Sequence, residues 1–367
     1  MSAPRAWQGV RNILCVRLDN LGDVLMTTPA IRALRRAAGD GRITLLASHA
    51  GAALGPHLPD LDDVIAYDAP WVKNAAGDPA GDRRMIDTLR RRNFDAAVIF
   101  TVYSQSSLPA ALMCRLAGIP AVLAHARENP YRLLSHWVRD PEPARHVRHE
   151  VRRQLDLVAT VGATCADTRL AFATCDADRL ALGGILAAHG VRADQGWIVA
   201  HCGASAASRR YRPALYARAL SMLHECGLKI VLTGTADERA LTAAIRMQCE
   251  VRSHIVDLAG RLGLGELACL IEDARLLITN NTGPAHIAAA VGTPLVDLYA
   301  LTNPQHSPWQ VPHRLLYHDV PCRNCYSSVC REGTHACLEG VDPQRVVAAV
   351  HELLERQPER PSAPLAD

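Results

Sequence analysis

The sequence predicts an α/β protein made of two parallel, doubly wound, Rossmann-like domains, and three observations predict it. Short apolar runs such as Ile13-Leu14-Cys15-Val16 and Ala96-Ala97-Val98-Ile99 alternate with stretches whose apolar residues recur every three or four positions. Strands that alternate with helices in this way form parallel sheets. The alternation lapses over a polar, irregular stretch near 164–195 and restarts at Trp197-Ile198-Val199-Ala200, which divides the chain into domains at 1–170 and 171–367. Several strands end in glycine-bearing turns that open a helix, the position where open α/β sheets bind ligands.

The first strand covers 13–18, and Leu21, Val24, Thr28, Ile31, Leu34 and Ala38 mark one face of the helix after it. The turn between them, Asp19-Asn20-Leu21-Gly22-Asp23, puts a glycine and a carboxylate at a helix start. Asp23 reads either as a capping, first-turn acid or as a working carboxylate, and the local residues leave both readings open. Strands at 43–47, 63–67, 96–100 and 120–124 follow, with helices near 80–92 and 107–117. A polar segment from His125 to Tyr131 leaves the last of these strands. His149, Arg152 and Arg153 then begin an amphipathic helix bearing Val151, Leu155 and Val158. Arg127 and His149 stand either as solvated surface groups or as groups facing a ligand at that edge.

In the second half the strand at 197–200 runs into a loop of small residues, including Ser205, followed by Arg209, Arg210 and Arg212. Small residues let a ligand approach the backbone, and arginines bring fork-shaped positive charge suited to phosphate. A solvated charge run is the alternative. A strand at 228–233 ends in a turn where Glu238 either accepts from ribose hydroxyls or serves as a helix-start acid. A short strand at 255–258 and a helix from Leu264 to Ile271 lead to a strand at 275–279. Asn280-Asn281-Thr282-Gly283-Pro284-Ala285-His286 comes next, an Ala-rich helix carries the chain to Thr293, and a strand covers 294–299. Glycine permits the tight turn and proline suits the first helical position, so free N–H groups and the positive end of a helix dipole gather at one spot. That spot suits a phosphate, with His286 one turn into the helix. A tight turn with a packed histidine is the alternative.

The bulk numbers exclude some function classes. Among 367 residues, 40 Lys+Arg nearly balance 37 Asp+Glu, for a net charge of +3, which argues against a nucleic-acid protein. Aromatic residues make up 4%, too few for base-stacking platforms. The N-terminus lacks the apolar core of a signal peptide, and no uncharged apolar run approaches about 18 residues, so a cytoplasmic protein is expected. Basic residues near 127–153 are the candidates for contact with a membrane surface. Of 12 cysteines, eight are scattered singly and read as reduced thiols. Cys322, Cys325, Cys330 and Cys337 form C-x2-C-x4-C-x6-C, dense enough to hold one structural metal ion, zinc first and iron second. Unligated thiols or a disulfide are the alternatives.

The runs from Ile13 to Ala30 and from Asn281 to Ala290 resemble the two signatures of family 9 glycosyltransferases, the ADP-heptose:lipopolysaccharide heptosyltransferases, and the resemblance extends from about residue 11 to 355. It implies the GT-B architecture, two Rossmann-like domains facing a central cleft, with the acceptor on the N-terminal domain and the nucleotide-sugar on the C-terminal one. It also implies an inverting transfer that uses no cofactor. Asp23 is then the general base, and Arg210 lies on the diphosphate where the family places a lysine. Thr282 and Gly283 donate backbone N–H groups to phosphate with His286 beside them, Ser205 belongs to the donor loop, and Glu238 holds the ribose. Arg127 and His149 match positions on the acceptor side. Asn281 stands where many members have aspartate, which alters a contact to the donor. The cysteine tract resembles the metal-finger segment of some heptosyltransferases. The expected partners are a nucleotide-sugar, ADP-heptose first, and a glycan or glycolipid acceptor of the lipopolysaccharide-core type. The rival expectations are a family 9-like transfer with another nucleotide-sugar or acceptor, and a nucleotide-sugar binding protein without activity.

Overall fold

The computed structural model describes residues 7–72, 77–192 and 195–356. Two units separate between Ala173 and Thr174, and each is built on one six-stranded sheet in which every paired strand is parallel.

In the first unit the elements are β1 (Asn12–Arg17), α1 (Leu21–Ala38), β2 (Arg42–Ala47), α2 (His49–Ala52), β3 (Asp63–Ala66), α3 (Pro79–Arg92), β4 (Ala96–Ile99), α4 (Leu108–Leu116), β5 (Ala121–Ala126), β6 (His136–Arg139) and α5 (Glu150–Ala159). The spatial order β3-β2-β1-β4-β5-β6 means that the chain winds outward from β1, then returns and winds the other way from β4. The direction reverses between β1 and β4, which pair from Ile13↔Ala96 to Val16↔Ile99. Alternation along the strands sends Leu14, Val16, Leu46, Ala97 and Ile99 into one core with Leu89 of α3 and Met113 of α4. On α1, Pro29 has no N–H to give the carbonyl of Leu25, and the Thr28 hydroxyl donates to that oxygen instead at 2.7 Å.

The second unit contains α6 (Asp176–Ala188), β7 (Trp197–His201), α7 (Pro213–Met222), β8 (Lys229–Thr233), α8 (Arg239–Gln248), β9 (Ile255–Asp257), α9 (Leu264–Asp273), β10 (Leu276–Asn280), α10 (Gly283–Val291), β11 (Leu295–Leu298), β12 (His313–Leu316), α11 (Ala336–Glu339) and α12 (Pro343–Glu355). Its order, β12-β11-β10-β7-β8-β9, places the reversal between β10 and β7. Ile198, Ala200, Leu232, Ile278 and Val296 form the core with Tyr216 of α7 and Val350 of α12.

α6, β6 and β12 are among the elements that differ from the sequence reading. Residues 176–188, read as irregular, form α6: Gly183-Gly184 weakens local helix propensity, but Leu182 and Leu186 are buried and the helix packs on α9. Arg179 fastens it to Glu272 and Asp273 at 2.7 and 2.9 Å. β6 and β12 are four-residue edge strands. Their burial is partial, so neither carries the continuous apolar run that marks the central strands.

Candidate active site

At the N-terminal reversal point the organising group is Arg17, the last residue of β1, which has no exposed side-chain surface. A charge at the end of a buried strand must be paired. Its Nη1 donates to Glu150 Oε1 at 2.8 Å, its Nη2 to Asp23 Oδ1 at 3.2 Å, and its Nε lies 3.0 Å from Asp19 Oδ2. Glu150 is wholly buried at the first turn of α5, where the helix dipole favours a negative charge. Gln154 adds a bond to Glu150 Oε1 at 2.6 Å, and the Gln105 amide donates to Asp19 Oδ1. Three carboxylates around one guanidinium leave an excess of negative charge. Burial pushes Asp19 up to about 6 and the charge of Asp23 pushes the same way, while Arg17 pulls in the opposite direction. Burial alone lowers the pKa of Arg17, and the carboxylates, Glu150 foremost, more than reverse that.

Asp23 takes the helix-start position: its Oδ2 accepts from the Asn20 N–H at 3.2 Å. The capping reading is therefore fulfilled, but capping alone requires no buried arginine. Asp23 keeps 14% of its side chain exposed where Arg17 and Glu150 keep none, so it is held from behind with an edge open. His149 is the N-cap of α5, with Nδ1 accepting from the Val151 N–H at 3.2 Å. Arg127 is exposed immediately after β5. Arg153, one of the basic residues expected at a membrane surface, is instead 1% exposed and bonded to Asp140 and Glu142 at 2.8 and 2.5 Å. Arg148 is likewise taken up by Glu142 and Asp156.

At the C-terminal reversal point, loops leaving β7, β8 and β10 lie side by side, since those strands are neighbours in the sheet. Asn280 joins two of the loops: Nδ2 donates to the carbonyls of Cys202 and Gly203 at 2.8 and 3.1 Å, and Oδ1 accepts from Tyr211 N at 3.1 Å. Thr282 is the N-cap of α10, with Gly283 and Pro284 opening the helix and His286 buried within its first turn and a half. Asn281 is 1% exposed, and its Nδ2 has no hydrogen-bond partner of good geometry among the described residues. Glu238 reaches from the turn after β8, accepts from Thr235 N at 2.9 Å, and lies over Gly203, where a Cβ would overlap its carboxylate. Burial holds His201 below its ordinary pKa, so a neutral imidazole bonds Thr233 Oγ1 at 3.1 Å.

The three arginines of the loop after β7 part company. Arg210 is exposed and its Nε donates to Ala204 O at 2.7 Å, and Ser205 is exposed beside that loop. Arg212 is paired with Glu339 at 2.6 Å. Arg209 lines a small cavity of about 90 Å³ with Thr302, Asn303, Tyr326, Ser327 and Ser328.

Two reversal points with polar loops at strand C-termini describe a nucleotide-type fold without naming a family. The family model of glycosyltransferase family 9 (heptosyltransferase) matches residues 83–336, more than half of the sequence. The chain belongs to glycosyltransferase family 9. Lipopolysaccharide heptosyltransferase 3 of Escherichia coli is 25% identical to this family 9 chain over 347 residues, 91% of this chain and 96% of that protein. Matches to two Haemophilus lipooligosaccharide heptosyltransferase 2 proteins span 30% and 44% of those proteins' lengths. The family 9 glycosyl transferase of Veillonella parvula superposes with a TM-score of 0.80 at 21% identity, over 97% of this chain and 100% of that one. E. coli ADP-heptose lps heptosyltransferase II does so at 0.75 and 22%, over 94% and 99%. These likenesses establish the GT-B fold. Asp23 lies outside the residues matched by the family model, so its role rests on geometry.

The cysteine tract of this family 9 chain is where the metal expectation falls. Among the described residues no three His, Cys, Asp or Glu side chains stand where they could hold a metal ion. Cys322 is exposed and Cys325, Cys330 and Cys337 are half-buried, all as free thiols. The tract is fastened by backbone bonds instead: Asn324 N to Leu301 O at 2.7 Å, Tyr326 N to Thr302 O at 2.8 Å and Ser208 N to Ser328 O at 3.0 Å. The four thiols are neighbours in space: burial raises the pKa of Cys337, and Cys330, Cys322 and Cys325 push the same way.

The sequence reading missed Arg17, Asp19, Glu150 and Asn280. A signal for Arg17 existed, a charge inside an apolar run read as a buried strand, which implies partners. Nothing local announced that one of them would be Glu150, which is 133 residues away.

Proposed function

We propose that this family 9 protein is an inverting glycosyltransferase that moves a heptose from ADP-heptose to a hydroxyl of a glycan or glycolipid acceptor of the lipopolysaccharide-core type, in the cytoplasm. The observation that carries the reading is the carboxylate of Asp23, partly exposed and held by a fully buried guanidinium. A sugar hydroxyl is a poor nucleophile. Asp23 accepts its proton as the oxygen forms the new bond to the anomeric carbon, a contribution of about 10²–10⁴-fold. The bond that breaks leaves its electron pair on the diphosphate.

That charge is met by the N–H groups of Thr282 and Gly283 at the start of α10, together with Arg210, while Glu238 accepts from the ribose hydroxyls. His286 flanks the phosphates, Ser205 stays with the donor loop, and Arg127 and His149 serve the acceptor. The E. coli relatives named for ADP-heptose and lipopolysaccharide transfer support the choice of donor and acceptor. Among the described residues no helix is long and apolar enough to cross a membrane.

A second reading, transfer of a different sugar, is favoured by one observation. Asn281, buried beside the phenol of Tyr299, brings an amide with donor as well as acceptor atoms where an aspartate would bring acceptors alone, which suits a different set of groups on the donor substrate. The deciding experiment is Asp23→Asn with calorimetric titrations of ADP, UDP, GDP and ADP-heptose. The expected result is turnover reduced by about 10²–10⁴-fold with ADP affinity retained. Undiminished turnover removes Asp23 as the base, and preference for UDP or GDP moves the donor elsewhere.

A further inference from the structure

The first unit contains a cavity of about 370 Å³ at its reversal point, between the C-terminal ends of β1 and β4. Its size falls in the range of about 300–1,000 Å³ usual for small-molecule sites. Val16, Ile99 and Phe100 give it a buried apolar floor. Asp19, Gln105 and Trp71 stand at the wall and rim, with Trp71 37% exposed and its indole set edge-on against Tyr67 at 6.0 Å. An apolar floor, one exposed indole and a few convergent polar groups are the usual furniture of a ligand site.

The charge of the lining narrows the ligand. Among the described residues that line it not one is Lys, Arg or His, and the ionisable group that faces in is Asp19. The guanidinium paired with Asp19, that of Arg17, has no exposed surface. A second carboxylate, Glu128, accepts from Ser106 of the rim at 2.7 Å. A phosphate or carboxylate placed here would meet like charge without a counterion. A polyhydroxylated, uncharged ring meets an acceptor in Asp19, an amide in Gln105 and apolar surface in Trp71 and Phe100.

We propose that this cavity is a subsite for one uncharged sugar ring of the acceptor, with Asp19 and Gln105 on its hydroxyls and Trp71 against its face. The proposal rests on the acceptor lying on the first unit, as the function above has it. It adds that the sugar next to the base carries no phosphate or carboxylate. Asp19 and Asp23 share Arg17, so a ring bound to Asp19 is one guanidinium away from the base.

The test is direct binding to the full chain, read by saturation-transfer NMR and calorimetry. The probes are methyl glycosides of neutral hexoses and heptoses, hexose phosphates and hexuronates. The variants are Trp71→Ala and Gln105→Ala, both at exposed positions where folding is little affected. Neutral glycosides are expected to bind, with each substitution weakening them about tenfold, and anionic sugars to bind at least about tenfold more weakly than neutral ones. ADP titrations should be the same in all three proteins. Equal or tighter binding of hexose phosphates overturns the proposal, as does neutral-glycoside binding indifferent to both substitutions, or none at tens of millimolar. Turnover of Asp23→Asn is read separately. If it is lost while the cavity binds no sugar, the transfer reading stands and this inference falls; if it is retained while the cavity binds, the reverse holds.

Discussion

Replacing Arg17 with Gln removes the one cation that three carboxylates share, at 2.8, 3.0 and 3.2 Å. At an effective dielectric of about 20, a pair of unit charges about 4 Å apart interacts by about 4 kcal/mol, and most of that offsets desolvation. The net cost of stranding a buried partner is about 3–5 kcal/mol, and here Glu150 is the wholly buried partner. The loss should depend on pH. Without Arg17 the folded-state pKa of Asp19, which burial has already raised, rises further above its unfolded value. The penalty is then small at low pH and grows as pH rises through that value. Asp19, already near 6 with the arginine present, fixes the window, so the gap between wild type and variant should widen from pH 5 to pH 8. The two units need not unfold together, so one melting midpoint is not a defined quantity. Peptide-resolved hydrogen exchange of β1 and α5 reads the local stability. A difference below about 1 kcal/mol at pH 8, or the same difference at both pH values, would refute the idea that Arg17 holds this cluster together.

Asp19→Asn should stabilise the protein at pH 8 by up to about 3 kcal/mol and leave it unchanged below pH 4. The folded-state value of about 6 lies a little over two units above the ordinary 3.8, and each unit is worth about 1.4 kcal/mol. Equal unfolding profiles at both pH values would count against it. Gly203→Ala should weaken ADP binding about tenfold or more with little change in the hydrogen exchange of β7 and β8. The added methyl displaces only the flexible end of Glu238, and the lost bonds to a charged group are worth about 1.5–3 kcal/mol. Unaltered affinity would take Glu238 off the ribose. Asp297 is wholly buried on β11 with neither carboxylate oxygen hydrogen-bonded among the described residues, and burial raises its pKa far more than Arg209 lowers it. Asp297→Asn should therefore gain on wild type in denaturant titrations as pH rises from 5 to 8, and a constant difference would contradict that sign.

The residue pattern alone was enough to read the class of fold and the strand ends that open into helices. Fully buried parallel strands are near-continuous apolar runs, and glycine and proline mark the turns that open helices, so β1, β7, β10 and the starts of α1 and α10 were legible. The edge strands β6 and β12 were not, because a half-exposed strand of four residues has no such run. Asp23, Glu238 and Thr282 stood out because their helix-start positions are local features. Only the tertiary structure showed that Asp23 shares Arg17 with Asp19 and Glu150, and that Asn280 joins the loops after β7 and β10. It also separated Arg209, Arg210 and Arg212, adjacent in sequence, into a cavity, a surface and an ion pair. The cysteine spacing is limited for the same reason. Spacing limits how far apart four sulfurs can lie, whereas their convergence depends on how backbone bonds to Leu301, Thr302 and Ser208 fold the segment. Periodicity and turn chemistry act between neighbours in the chain. Pairing of buried charge acts between neighbours in space, and those are chosen by the winding of the sheet.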